Sequence, residues 1–359
     1  MTVKELTEGS VQLLKDLIAI QSFSREEDRT GDAIQNFFEE HGVPVQRVQN
    51  NIIVKNKHFE PGKPAILLNS HHDTVKPNKG YTRDPFLAHV EEGKLFGLGS
   101  NDAGGPLVSL MATFLHFYYK TDLAYNIYLV ASAEEEVSGK EGIEIALPVL
   151  ENVEVGVVGE PTGMNMAVAE KGLMVLDCEA KGVAGHAARD IGENAIYKAI
   201  KDIEWIRAQK LPKTSQWLGP VKMSVTVINA GSQHNVIPDS CKFVVDVRVN
   251  DCYTLPEIVD FIKKGVSSEV VPRSMRMNPS TIPVEHPLVL AAKNQNIHLF
   301  GSDTTSDQAL MPFSTVKMGP GLSERSHTAD EFIYLSEIEE GIKIYIRLLE
   351  EVLTKPTPA

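Results

Sequence analysis

Histidines and carboxylates collect in this chain where short apolar runs end. Residues 65–68 lead into Asn69-Ser70-His71-His72-Asp73, residues 126–130 into Glu134-Glu135-Glu136, and residues 155–159 into Glu160. Another acid, Asp102, lies in Gly99-Ser100-Asn101-Asp102 after the run 95–98. If these runs are strands of an open α/β sheet, their carboxyl ends border one crevice, where such sheets bind ligands. Imidazole and carboxylate brought together there suit a zinc-like divalent cation. A His-x-Asp triplet alone is not diagnostic. On a strand, however, residues i and i+2 share a face, so Asp73 can hold one nitrogen of His71 while the other binds metal. His72 points the other way and reads as structural. Three consecutive glutamates repel unless a cation is near; one as ligand and its neighbour as general base divides the work economically. His327, in Ser326-His327-Thr328-Ala329-Asp330-Glu331, and His186, in Gly185-His186-Ala187-Ala188, lie in polar loops and by themselves read as solvated. The chain has no G-x-S-x-G elbow, no Walker loop and no H-E-x-x-H, and Gly97-Leu98-Gly99 lacks the third glycine of a dinucleotide fingerprint.

The elements that must position these residues are legible in outline. Leu6, Leu13, Leu14, Leu17 and Ile18 predict a helix near the start. Ser24 and Glu27 read as the capping box of a second helix with Ile34, Phe37 and Phe38 on one face, stopping at Gly42. Residues 45–48 and 52–54 read as a hairpin, as does the stretch around Glu91-Glu92-Gly93. Pro106 is well placed to start a helix whose buried stripe is Leu107, Leu110, Met111, Phe114 and Tyr118. This alternation predicts a mixed, mostly parallel sheet with helices on both faces, an α/β catalytic domain over residues 1–172 and 283–359. Residues 173–282 change character: strand 173–180, helix 194–209, strands 221–228 and 242–249, helix 255–267 and a weak strand near Val270. That is βαββαβ, an inserted ferredoxin-like unit. Ser336 and Glu339 read as the cap of a closing helix with Ile338, Ile342, Tyr345 and Leu349 inward.

At 359 residues the chain has room for two domains. With 35 Lys and Arg against 48 Asp and Glu, the net charge of −13 argues against nucleic acid and anionic membrane surfaces as partners. No apolar run approaches the roughly 18 residues of a membrane span. Cys178, Cys241 and Cys252 form no C-x-x-C, and the first residues lack the layout of a signal peptide; a reducing cytoplasm is expected.

Taken in order, His71-x-Asp73, Asp102, Glu135-Glu136, Gly159-Glu160-Pro161, Gly185-His186, Asn235-Val236-Ile237-Pro238 and His327 resemble the co-catalytic zinc family of acetylornithine deacetylase, succinyl-diaminopimelate desuccinylase and the glutamate carboxypeptidases. The match spans nearly the whole chain, and Ser70-His71-His72-Asp73-Thr74-Val75 with Glu135-Glu136-Val137 looks most like the acetylornithine deacetylase branch. The resemblance implies two divalent metal ions per chain, zinc or else cobalt or manganese. His71 and Glu160 would hold one ion, Glu136 and His327 the other, and Asp102 would bridge them. Asp73 would orient His71, and Glu135 would be the general base. It also implies a cis peptide after Asp102 and a role for the inserted unit as lid and dimerisation domain. His186 would then serve a partner subunit's oxyanion in a homodimer, while Asn235 and Arg248 would read the substrate's α-carboxylate. Lys140 is a candidate for the distal carboxylate of a succinyl group. Two details depart: Glu134 stands where an aspartate is usual, which leaves a one-residue shift of base and ligand open, and Ser70 replaces a glycine. The expected reaction is hydrolysis of the amide of an N-acyl amino acid, of the N-acetyl- or N-succinyl-ornithine or -citrulline type used in arginine biosynthesis. The competing expectations are a dipeptidase or aminopeptidase on the same metals and an inactive metal-binding relative.

Overall fold

The acid-tipped strands lie side by side and point the same way. In the computed structural model, which describes residues 1–189 and 191–354, the strand Ala65–His71 runs parallel to Asn126–Ser132 on one side and to Val153–Val158 on the other. Ser314–Lys317 continues the parallel set beyond Val153–Val158. Antiparallel Asn51–Lys55 and then Gln46–Val48 lie outside Asn126–Ser132. The central strands are buried along their whole length, so they read as continuous apolar runs rather than alternating ones, as expected of strands covered on both faces. This is the mixed, mostly parallel α/β sheet expected.

The helix Gly105–Phe117 is buried nearly all round. Its Ser109 and Thr113 hydroxyls donate back to the carbonyls of Gly105 and Ser109, both at 2.8 Å, so the polar groups cost little inside the core. Helix Val3–Ile18 buries Leu6, Leu13, Leu14, Leu17 and Ile18, each contributing roughly 1.5–3 kcal/mol of transfer free energy. Its Thr2 and Glu5 form a capping box. The closing helix Leu335–Leu353 buries Ile338, Ile342, Tyr345 and Leu349.

Two caps differ from the sequence reading. Helix Asp28–Glu40 has Glu27 as its N-cap residue with no side-chain cap bond. The Ser24 hydroxyl instead donates to Asp73 Oδ2 at 2.6 Å, a stronger partner because it is a buried carboxylate. The closing helix begins at Leu335, so Ser336 lies inside it, and Glu337 rather than Glu339 accepts the Tyr334 backbone N–H.

The chain divides into two units. The first comprises Met1–Val168, Ile282–Phe300 and the described residues from Ser306 onward; the second comprises Ala169–Thr281 with Gly301–Thr305. In the second, a four-stranded antiparallel sheet has the order Lys222–Ala230, Ser240–Val249, Gly172–Lys181, Glu269–Pro272. Its helices are Ala195–Ala208 and Leu255–Gly265. Period-two alternation sends Met174, Leu176, Cys178 and Ala180 to the same core as Phe243, Val245 and Val247.

Candidate metal centre

Three of the acid-bearing loops leave the carboxyl ends of neighbouring parallel strands, whereas the run before Asp102 pairs in a separate three-stranded sheet. His71 ends its strand; Glu135 and Glu136 follow Asn126–Ser132; Glu160 follows Val153–Val158. The Ser70 hydroxyl donates to Gly159 O at 2.7 Å, tying together the strand ends that carry His71 and Glu160. Asp102 comes from a tight turn in which the Gly104 N–H donates to Gly99 O at 2.9 Å. Gly99 has φ +74°, and a Cβ on Gly104 would meet that oxygen at 2.4 Å, so the turn requires both glycines. The Asp102-Ala103 peptide is cis.

The side chains converge. His71 Nε2 lies 3.3 Å from Asp102 Oδ1, 3.8 Å from Glu160 Oε1 and 3.9 Å from Glu135 Oε2. His327 Nε2 lies 3.6 Å from Asp102 Oδ2 and 3.0 Å from Glu136 Oε2. The two oxygens of Asp102 therefore address different histidines. Ligand atoms of His71, Asp102 and Glu136 all fall within 4.8 Å of one another, and so do those of His71, Glu135 and Glu160. His71 Nδ1 sits 2.9 Å from the Asp73 carbonyl, which can only accept, so Nδ1 carries the hydrogen and Nε2 is the nitrogen free to bind.

The acceptor of the Nδ1 hydrogen is thus the Asp73 carbonyl, and the Asp73 carboxylate has another task. It lies 3.5 Å from His71 Nδ1, and its Oδ1 accepts Glu135 N at 3.1 Å while Oδ2 accepts Glu136 N at 3.2 Å. One buried carboxylate thus fixes the backbone of both neighbouring glutamates. Glu134 faces elsewhere: its backbone is left-handed, its N–H donates to Glu27 Oε1 at 3.0 Å, and its carboxylate lies 3.9 Å from Arg25. The pair turned toward the histidines is Glu135 and Glu136.

The electrostatics of the cluster favour a cation. Burial, reinforced by the nearby Glu160, Asp307 and Glu136, raises the Glu135 carboxyl well above its usual range against the pull of His71. Burial and the charges of Asp102 and Glu136 push Glu160 up to about 8. His327 is raised to about 9, chiefly by its hydrogen bond to Glu136. His71 is also raised: bonds to Asp102 and Asp73 outweigh its burial. Carboxylates this close raise the proton affinity of Glu135 and Glu160, and the oxygen and imidazole donors match a divalent metal pair.

His72 is held apart from this cluster. Its Nε2 donates to Asn50 O at 2.9 Å and its Nδ1 accepts from Thr30 Oγ1 at 2.9 Å. Burial pushes the ring down to about 4 from 6.5. The unfolded chain therefore binds this proton first as pH falls, so the stability is whole above about 6.5 and is lost toward 4. The loss should reach roughly 3 kcal/mol. Urea unfolding of wild type and His72→Gln between neutral pH and pH values near 4 checks this, and the variant should show the flatter dependence.

Sequence reasoning missed two buried acids. Asp307 accepts from the Ser132 hydroxyl at 2.6 Å, and Glu331 accepts three backbone amides of the Asp102 turn. Their only signals were an acid in a serine-containing loop and an acid four residues past His327. Lys140 is exposed. In the second unit, His186 and Asn235 are exposed, His186 in a two-residue ladder with Val236–Ile237. The fork expected of Arg248 is engaged locally: Nε and Nη2 donate to Asp246 at 2.9 and 3.1 Å, and Nη1 to Thr305 Oγ1 at 3.3 Å. Residues 246 and 248 share a strand face, which puts the acid within reach of the guanidinium.

The sequence profile of peptidase family M20/M25/M40 matches residues 67–351. A succinyl-diaminopimelate desuccinylase of Acidiphilium cryptum (strain JF-5) is 25% identical, the alignment covering 95% of this chain and 98% of that protein. An acetylornithine deacetylase of Proteus mirabilis (strain HI4320) is 26% identical, covering 95% and 96%. These identities do not separate one branch from the other. Among solved structures, aminopeptidase PepT of Bacillus cereus ATCC 10987 superposes with a TM-score of 0.76 at 19% identity, over 96% of this chain and 98% of that one, a likeness of fold.

Proposed function

Because the chain belongs to peptidase family M20/M25/M40, we propose that it is a metal-dependent hydrolase of N-acyl amino acids, acting on N-acetyl- or N-succinyl-ornithine or -citrulline and freeing the α-amino acid. The observation that carries this reading is the division of Asp102, one oxygen toward His71 and the other toward His327, with Glu160 and Glu136 completing each side. On this reading His71 and Glu160 would hold one divalent ion and Glu136 and His327 a second, with Asp102 facing both; zinc leads, with cobalt and manganese as alternatives. When bound, such ions polarise a carbonyl and make a water acidic near neutral pH.

The chain's own residues supply the rest. Glu135 takes a proton from the attacking water on a carboxylate oxygen and returns it to the leaving nitrogen as the amide C–N bond breaks. Asp73 keeps Glu135 and Glu136 in fixed relation by holding both of their backbone amides. His71 keeps its hydrogen on Nδ1, so Nε2 stays available. The roles of His186 as oxyanion donor from a partner copy and of Asn235 in reading the α-carboxylate rest on the motif order. Arg248 joins them only by exchanging Asp246 for the substrate. A homodimer through the second unit belongs to the same reading, supported by exposed Tyr197, Ile200, Val227 and Ile228. So does a reducing cytoplasm, supported by three free cysteines. Among the described residues no helix is long and apolar enough to cross a membrane.

The deciding experiment is a substrate panel on protein stripped with a chelator and reloaded with Zn²⁺, Co²⁺ or Mn²⁺. Stripping should abolish hydrolysis, and reloading should restore it on N-acetyl or N-succinyl amino acids. A preference for dipeptides of tenfold or more would move the assignment to a peptidase. Binding of two ions with no hydrolysis of any N-acyl amino acid or dipeptide would mark an inactive relative.

A further inference from the structure

Glu331 is 2% exposed, and its carboxylate is aimed into the turn that carries Asp102. Oε1 accepts Asn101 N at 2.8 Å and Asp102 N at 2.9 Å, and Oε2 accepts Gly99 N at 3.1 Å. The Glu331 carbonyl adds a fourth bond, from Gly97 N at 3.0 Å. A buried carboxylate is costly unless its lone pairs are met, and here amide hydrogens of the backbone meet them. The opposite side of the turn is held from the same stretch of chain. Asn101 Oδ1 accepts Leu322 N and its Nδ2 donates to Leu322 O, each at 3.0 Å. Residues 322–331 therefore both carry His327 and grip the turn that presents Asp102.

We infer that Glu331 is a positioning residue of the metal centre, setting through those three amides where the Asp102 oxygens lie between His71 and His327. The inference rests on the reading of Asp102 as a ligand common to both ions. Backbone geometry supplies the reason. A carboxylate binding the N–H of Asp102 itself fixes that residue's peptide plane, and with it the origin of the side chain. A glutamine here keeps the size but has one acceptor oxygen, so its NH₂ faces the Gly99 N–H, donor against donor. The adjacent Asp330 makes a natural comparison. It accepts Thr82 N and Arg83 N, both at 2.9 Å, and has no bond to the Asp102 turn among the described residues.

The test reads metal affinity rather than turnover. Metal-free wild type, Glu331→Gln and Asp330→Asn are titrated with Zn²⁺ by calorimetry and with Co²⁺ by visible absorption, and the melting temperature of each metal-free protein is recorded. Glu331→Gln should bind both ions about 10- to 100-fold more weakly, the scale expected for residues that hold a ligand in place. Its Co²⁺ spectrum should change as well, while Asp330→Asn stays within about threefold of wild type, well short of that scale. Unchanged affinities in a folded Glu331→Gln overturn the inference, and so does an equal loss in Asp330→Asn, which would mean general loosening. Should Glu331→Gln not fold, Glu331→Asp keeps the carboxyl group one methylene short of the amides. It should lose affinity by about tenfold, and wild-type affinity there overturns the inference too. Wild type that binds no metal pair sinks the functional reading instead, so the two failures are distinct.

Discussion

Glu135→Gln is expected to lower kcat on the best N-acyl substrate by about 10²- to 10⁴-fold while metal content stays at the wild-type level. The change is nearly isosteric and leaves the loop intact, because Asp73 grips the backbone amides of residues 135 and 136 rather than their side chains. What disappears is a carboxylate able to accept a proton. Burial and neighbouring acids raise the proton affinity of Glu135, the direction in which a general base is tuned. Steady-state kinetics and elemental analysis on one preparation check the prediction. Near-normal turnover in a fully metallated Glu135→Gln removes this residue from the mechanism and returns the roles of the glutamates to question.

Asp102→Ala should cost more in binding than any other single ligand change. His71 and Glu160 lie on one side of it and His327 and Glu136 on the other, and the Asp102 oxygens are the atoms near both histidines. Residues that merely support a ligand are worth about 10- to 100-fold in affinity, so loss of a ligand shared by two ions should exceed 100-fold for each. Glu136→Ala should weaken one ion far more than the other. Competition titration with a coloured chelator separates these patterns, and loss of a single ion in Asp102→Ala would show that the aspartate is not shared.

The parts of the site legible in sequence are those with a local signature. His71, Glu135, Glu136 and Glu160 follow buried strands, and a parallel arrangement brings strand ends together whatever the strand order. The second unit shows its period-two alternation openly, because one face of its sheet is packed and the other is not. The missed features depend on partners far away in the chain. Ser24 and Glu27 have the spacing of a capping box, yet Ser24 bonds to Asp73, 49 residues on, and Glu27 to the amide of Glu134, 107 residues on. Asp307 meets Ser132 across 175 residues. Arg248 differs in the opposite direction: its partner, Asp246, stands two positions away, and the i, i+2 rule applied to His71 and Asp73 would have shown it.

The bond between Glu331 and the amide of Asp102 spans 229 residues. A polypeptide still emerging from the ribosome can pair its early parallel strands and bury its first helices, but it lacks His327 and the grip on the Asp102 turn until residue 331 is out. If the metal pair is held as proposed, its site is completed late in synthesis, and fragments ending before residue 327 should bind the ion assigned to Glu136 and His327 poorly, because they lack both that histidine and the grip on the Asp102 turn.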